Sequence, residues 1–120
     1  MKNTHLKSTW ETYVSSWKEN TYTKQEAKFK ESLAKNCTYS DPLATTQGWQ
    51  ALSEYMEQFH QQIPGGHFVT THFMAYSQKS IAKWEMRNGE GVPIGEGISY
   101  GEYNDEDKLV AMTGFYETQN

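Results

Sequence analysis

Apolar side chains recur at three- and four-residue intervals through the first half of this chain and at alternate residues through the second. Leu6, Trp10, Tyr13, Val14 and Trp17 share one face of a predicted helix. Thr23-Lys24-Gln25-Glu26 has the form of a capping box, with a hydroxyl to accept from a backbone amide and a carboxylate to reach back, so a second helix should run to about Leu33. Cys37 to Asp41 is short and extended. Trp49, Leu52, Tyr55, Met56 and Phe59 mark a third helix, which should end before Pro64-Gly65-Gly66. From His67 the period becomes two. Phe68, Thr70, His72, Met74 and Tyr76 are expected on one face of a strand, with Val69, Thr71, Phe73 and Ala75 on the other. Ile81–Arg87, Ile94–Tyr103 and Leu109–Glu117 are predicted as three more strands, separated by the turn-rich segments 88–93 and 104–107.

Helices followed by an antiparallel meander predict an α+β domain, one unit over residues 1–120. The meander should wrap one face around the helices and expose the other. An exposed face carrying Val69 and Phe73 would be apolar and suited to a homodimer. Gly95, Gly97 and Gly101 fall on one side of the third strand with Ser99 and Tyr103. The missing side chains leave room there for a neighbouring helix, a bend or a ligand.

Composition narrows the function classes. A net charge of −4 with eleven scattered Lys and Arg argues against nucleic acid or an anionic membrane surface as partner. Without an apolar run near the N-terminus or a stretch of ~20 apolar residues, no signal peptide or membrane span is expected, and a cytoplasmic location is the default. The single cysteine, Cys37, has no internal disulfide partner and reads as an inert core thiol. Aromatic residues make up 14%, including four Trp and eight Tyr, enough for a packed core or an apolar pocket.

Asp41 carries the candidate chemistry. It ends a strand, and Pro42 biases it to extended geometry, so its carboxylate has a set direction. Two readings stand. In one, Asp41 is a general base beside a carbonyl carbon; burial in an apolar pocket would raise its basicity. In the other it caps its own turn through an Asx-type bond. A buried carboxylate free of backbone bonds would mark a base, and a capped one would mark binding or no role. Trp17, Met56, Phe59, His72, Met74, Trp84, Met86 and Met112 are the expected apolar lining, unless they simply fill a core. His67 and His72 point to opposite strand faces, and no HExxH or Cys/His cluster occurs, so neither metal nor cofactor is expected. His60 is read as capping the end of the third helix or facing water.

Thr38-Tyr39-Ser40-Asp41-Pro42 with Gly48 and Ala51-Leu52, Ala82-Lys83-Trp84-Glu85-Met86 with Gly95-Glu96-Gly97, and Asp107-Lys108-Leu109-Val110 with Thr113-Gly114-Phe115-Tyr116 together resemble the NTF2-like superfamily, in particular its SnoaL-like and ketosteroid-isomerase-like members. The resemblance implies a cone: N-terminal helices packed in a strongly curved, mostly antiparallel sheet. It implies a pocket for a small apolar or ketone-bearing molecule. For an enzyme it implies cofactor-free isomerisation, cyclisation or dehydration, with Asp41 as base and Tyr13 and Ser99 as donors to the oxygen; from its helix face alone, Tyr13 reads as a core tyrosine whose hydroxyl finds a partner at the core's edge. Serine at 99 departs from the steroid-isomerase pattern, which has a carboxylic acid there. A binding module without catalysis, or a dimeric association domain, are the alternatives on the same fold.

Overall fold

The computed structural model describes residues 2–118. Helices α1 (Lys2–Ser16) and α2 (Tyr22–Ser32) lead into β1 (Leu33–Ser40) and a short β2 (Thr45–Gln47); α3 (Trp49–Gln62) follows, then β3 (His67–Tyr76), β4 (Lys79–Arg87), β5 (Pro93–Tyr103) and β6 (Leu109–Phe115). The strands form one sheet in the order β2-β1-β6-β5-β4-β3. β1 pairs with β6 in parallel, and the other neighbours pair antiparallel. The sheet is curved and open, and the α+β class is as expected.

The helical periodicity translates directly into burial. Leu6, Trp10, Tyr13, Val14 and Trp17 are all buried, and with Phe29, Leu52 and Met56 they meet Leu33, Cys37, Ala82, Leu109 and Met112 of the sheet in one core. The start of α2 differs from expectation. Thr21, not Thr23, is the N-cap, and its hydroxyl accepts from Lys24 N at 3.3 Å. Gly48 caps α3 at φ +86°, a conformation that suits glycine. Its amide donates to the Cys37 carbonyl at 2.8 Å, tying the helix start to β1.

The largest correction lies in β3. Thr70 pairs with Trp84 but His72 pairs with Lys83, so Thr71 is an extra residue in a β-bulge. Beyond it every side chain changes face. Phe73, paired with Ala82, and Ala75 pack against the core. His72 and Met74 turn outward, Met74 with 57% exposure. The expected placement of His72 and Met74 in the cavity, and of Phe73 on the outer face, is therefore reversed.

The glycines of β5 make room for side chains of β4 and α1. A Cβ on Gly97 would lie 2.6 Å from the Trp84 ring and from the Phe115 carbonyl. A Cβ on Gly101 would meet Leu109, Ser80 and the Trp10 ring. Among the described residues, no helix is long and apolar enough to cross a membrane.

Candidate functional site

Parallel pairing of β1 with β6 brings Ser40 opposite Thr113, and antiparallel pairing of β6 with β5 brings Gly114 opposite Ser99. Asp41 and Ser99 thus flank Gly114. A Cβ built on Gly114 would stand 3.6 Å from the Asp41 Cβ and 3.7 Å from the Ser99 Oγ. Two of the three residues expected at the site are brought together, across a position without a side chain.

Asp41 is held by its own turn and by phenols. Its Oδ1 accepts from the amides of Leu43 at 2.8 Å and Ala44 at 3.0 Å, the Asx-type cap anticipated beside Pro42. Its Oδ2 accepts from the Tyr39 hydroxyl at 2.6 Å. The Tyr55 hydroxyl is shared between both oxygens, at 2.8 Å from Oδ2 and 3.1 Å from Oδ1. The Tyr116 phenol stands against both Asp41 and Tyr55. Burial, first, and the neighbouring carboxylate push the phenols of Tyr55 and Tyr116 up. Burial does the same for Tyr39, reinforced by Tyr13 and Asp41. These phenols keep their protons at any ordinary pH and act as donors.

Tyr39, Tyr55 and Tyr116 were not singled out from the sequence. Tyr39 had a legible signal: two residues before Asp41 on an extended strand, it shares the same face. Tyr55 and Tyr116 are brought in from α3 and from beyond β6 by the fold.

Tyr13 takes a different place from the one the resemblance implies. It is 3% exposed, and its oxygen accepts from the Trp17 indole N–H at 3.0 Å. Burial, above all, pushes its phenol up, with smaller contributions from Cys37 and Asp41. It is linked to the cluster around Asp41 through Trp17, which packs on Tyr39 and Tyr55. Ser99 has the reverse character. It accepts from the Trp84 indole N–H at 2.9 Å, which fixes the oxygen and leaves its own proton to donate.

The surroundings of Asp41 are rich in aromatic contacts. Trp17 meets Tyr55, Phe59 and Phe68 edge to face at centroid separations of 6.2, 5.6 and 5.4 Å. Phe68 meets Trp84 at 5.1 Å, and Trp84 meets Tyr116 at 6.1 Å. Trp17 thus joins Tyr55 to Phe68, and Trp84 carries the run of contacts on to Tyr116. Of the other expected lining residues, Met56 and Met112 are shut into the core at 0% and 1% exposure. Met86 lies over Gly95.

His60 lies apart from Asp41. Its Nε2 donates to the Trp17 carbonyl at 2.6 Å, linking α3 to the end of α1. It also borders a polar cleft of about 460 Å³ with Tyr22, Gln25, Ser53 and Glu57. Cys37 is buried, and burial pushes its thiol up to about 11, as befits an unreactive core residue. Among the described residues, no three His, Cys, Asp or Glu side chains converge in a metal-binding arrangement.

Among solved structures, a SnoaL-like family protein from Agrobacterium tumefaciens, proposed to be an isomerase, superimposes with a TM-score of 0.86 at 22% identity, covering 96% of this chain and 99% of that one. A SnoaL-like protein from Jannaschia, proposed to be a polyketide cyclase, gives 0.77 at 9% identity, covering 96% and 87%. An NTF2-like protein of unknown function from Cytophaga hutchinsonii gives 0.71 at 10%, covering 93% and 89%. No curated protein matches the sequence. The SnoaL-like domain model matches residues 11–112, from the middle of α1 to Met112 in β6. Together with the strand-Asp-Pro turn and the curved sheet packed on three helices, that match places this chain in the SnoaL-like family.

Proposed function

We propose that this protein binds a small, largely apolar molecule carrying a carbonyl or enol oxygen at the Asp41 end of the cone. One observation carries the reading. Ser99, its oxygen fixed by Trp84, faces Asp41 across Gly114, with Tyr55 and Tyr116 beside the carboxylate and the run of aromatic contacts around them. Donors and an acceptor set among aromatic side chains suit an apolar ligand with one polar end. The Thr70 hydroxyl, opposite Trp84 in the sheet, is buried without a partner among the described residues and adds one more polar group on that face.

Two kinds of activity fit such a ligand. Non-catalytic binding is favoured by the state of Asp41, whose oxygens are occupied by two amides and two phenols. Proton transfer next to a carbonyl, as in an isomerisation, aldol-type cyclisation or dehydration, is favoured by the pairing of Asp41 with the Ser99 donor. In that reading Asp41 moves the proton and Ser99 steadies the oxygen. The two are separated by following deuterium incorporation beside the carbonyl of a panel of cyclic ketones in D₂O by NMR. Catalysis requires exchange above the buffer rate that falls by about a hundredfold or more in Asp41→Asn. Ketone binding with no exchange in the wild type leaves the binding reading. Neither binding nor exchange sinks both.

The outer sheet face is proposed as a contact with a second copy of the chain. Its centre holds Met74, Ile81, Ile98 and Phe115, each at least 41% exposed. Lys79 of β4 lies opposite Glu102 of β5 on that face, and Lys83 lies opposite Ile98. A two-fold axis between these strands would lay each copy's Lys79 over the other's Glu102.

A further inference from the structure

The four donors to Asp41 are unequal. The amides of Leu43 and Ala44 belong to the turn that contains Asp41 and cannot leave without unfolding it. Tyr39 is 9% exposed on a paired strand, and its hydroxyl makes the shortest contact. Tyr55 is different on three counts. It is half-buried on α3 rather than enclosed in the sheet. Its one proton is split between two carboxylate oxygens, a bifurcated arrangement weaker than a single aligned bond. Both oxygens that it touches already have other donors. Taking Tyr55 away leaves Asp41 pointing in the same direction with every oxygen still partnered.

We infer that Tyr55 is an exchangeable cap on Asp41. In the free protein its hydroxyl covers Oδ2; when a ligand with a carbonyl, enolate or phenolate oxygen enters, the hydroxyl turns to that oxygen and uncovers Oδ2 toward the ligand. The inference rests on the ligand-binding reading above and assigns to Tyr55 the donor role that the family resemblance implies for Tyr13. It also reconciles a carboxylate that is saturated at rest with one that is available when the site is filled. The exchange favours binding of an enolate or phenolate, because Asp41 keeps its three other donors while the ligand's anionic oxygen gains one.

The test uses 4-nitrophenolate as probe, titrated against the full chain and read by quenching of tryptophan fluorescence from Trp17 and Trp84. Tyr55→Phe should weaken binding by about tenfold or more, the loss of a charge-assisted hydrogen bond. Tyr100→Phe, whose hydroxyl bonds Glu102 on the outer face, should stay within about twofold. In the wild type labelled with ¹³Cζ-tyrosine, the Tyr55 resonance should move on adding probe. That measurement decides the matter even if Tyr55→Phe folds poorly. Wild-type binding with an unmoved Tyr55 resonance, or with unchanged affinity in a folded Tyr55→Phe, overturns the exchange and leaves the binding reading intact. No binding of the phenolate by the wild type overturns the oxygen-ligand reading and the exchange together.

Discussion

A carboxylate held by two amides of its own turn and by a buried phenol has little freedom to rotate. Asp41 therefore presents the same edge to whatever lies across Gly114, whether a ligand oxygen or a carbon-bound proton. The proline after it and the short turn Asp41–Ala44, closed by the Asp41 amide on the Ala44 carbonyl at 2.9 Å, are local devices readable along the chain. The Tyr39 contact is nearly so. Residue-scale burial also governs titration. The Cys37 thiol is pushed from 9.0 up to about 11 by burial, and the Tyr103 phenol from 10.0 up to about 12. A group whose folded value is raised stabilises the fold below its unfolded value, and that contribution is lost as pH rises toward the folded one. Stability should thus hold to about pH 9 and fall through pH 11. In urea titrations at a series of pH values, Cys37→Ala should show a shallower fall between pH 9 and 11 than the wild type. Parallel curves would mean that the thiol does not take part.

At the scale of elements, one inserted residue decides which half of β3 faces inward. Alternation from Phe68 to Tyr76 is unbroken in the sequence, yet the bulge at Thr71 moves Phe73 in and Met74 out. Nothing in the pattern marks the bulge, because a threonine suits either face. What selects it is the pairing across β4, where Ala82 is wholly buried and Ile81 is exposed. The β3–β4 turn was similarly hidden. Ser77 and Gln78 adopt φ of +52° and +61° without glycine or asparagine. The Gln78 amide is pinned by the Asn104 carbonyl and the Asp107 carboxylate, both at 2.9 Å. Gly97 is the element-scale feature that shapes the site, since only hydrogen fits beneath the Trp84 ring. Gly97→Ala should destabilise the protein by about 1–3 kcal/mol through overpacking and displace the indole from Ser99. A lowered urea midpoint with a shifted tryptophan emission is the expected result. An unchanged midpoint would show that Trp84 yields freely.

At the scale of the whole molecule, the site exists because two pairings meet. β1 lies parallel to β6 and β6 antiparallel to β5, so residues 41, 99 and 114, far apart in the chain, become neighbours. The chain segment after β6 then supplies Tyr116, and α3 supplies Tyr55. The outer face belongs to this scale as well. If it is the contact between copies, light scattering should give a mass near twice 13.9 kDa. Ile98→Asp, which buries a charge at the centre of the face, should give the monomer. A monomeric wild type at tens of micromolar would remove the dimer.

The sequence by itself determined the helices, the four long strands, the α+β class and the strand-Asp-Pro turn. Each depends on the period of apolar residues or on backbone restrictions within a few positions. It also placed Ser99 and Trp84 on one strand face each. Only the tertiary structure decided that Tyr55, rather than Tyr13, bonds the carboxylate, and that His72 and Met74 look outward. Such outcomes depend on the rotation of a helix and the register of a strand. A shift of one residue in either redirects a side chain, yet it leaves the hydrophobic period almost unchanged.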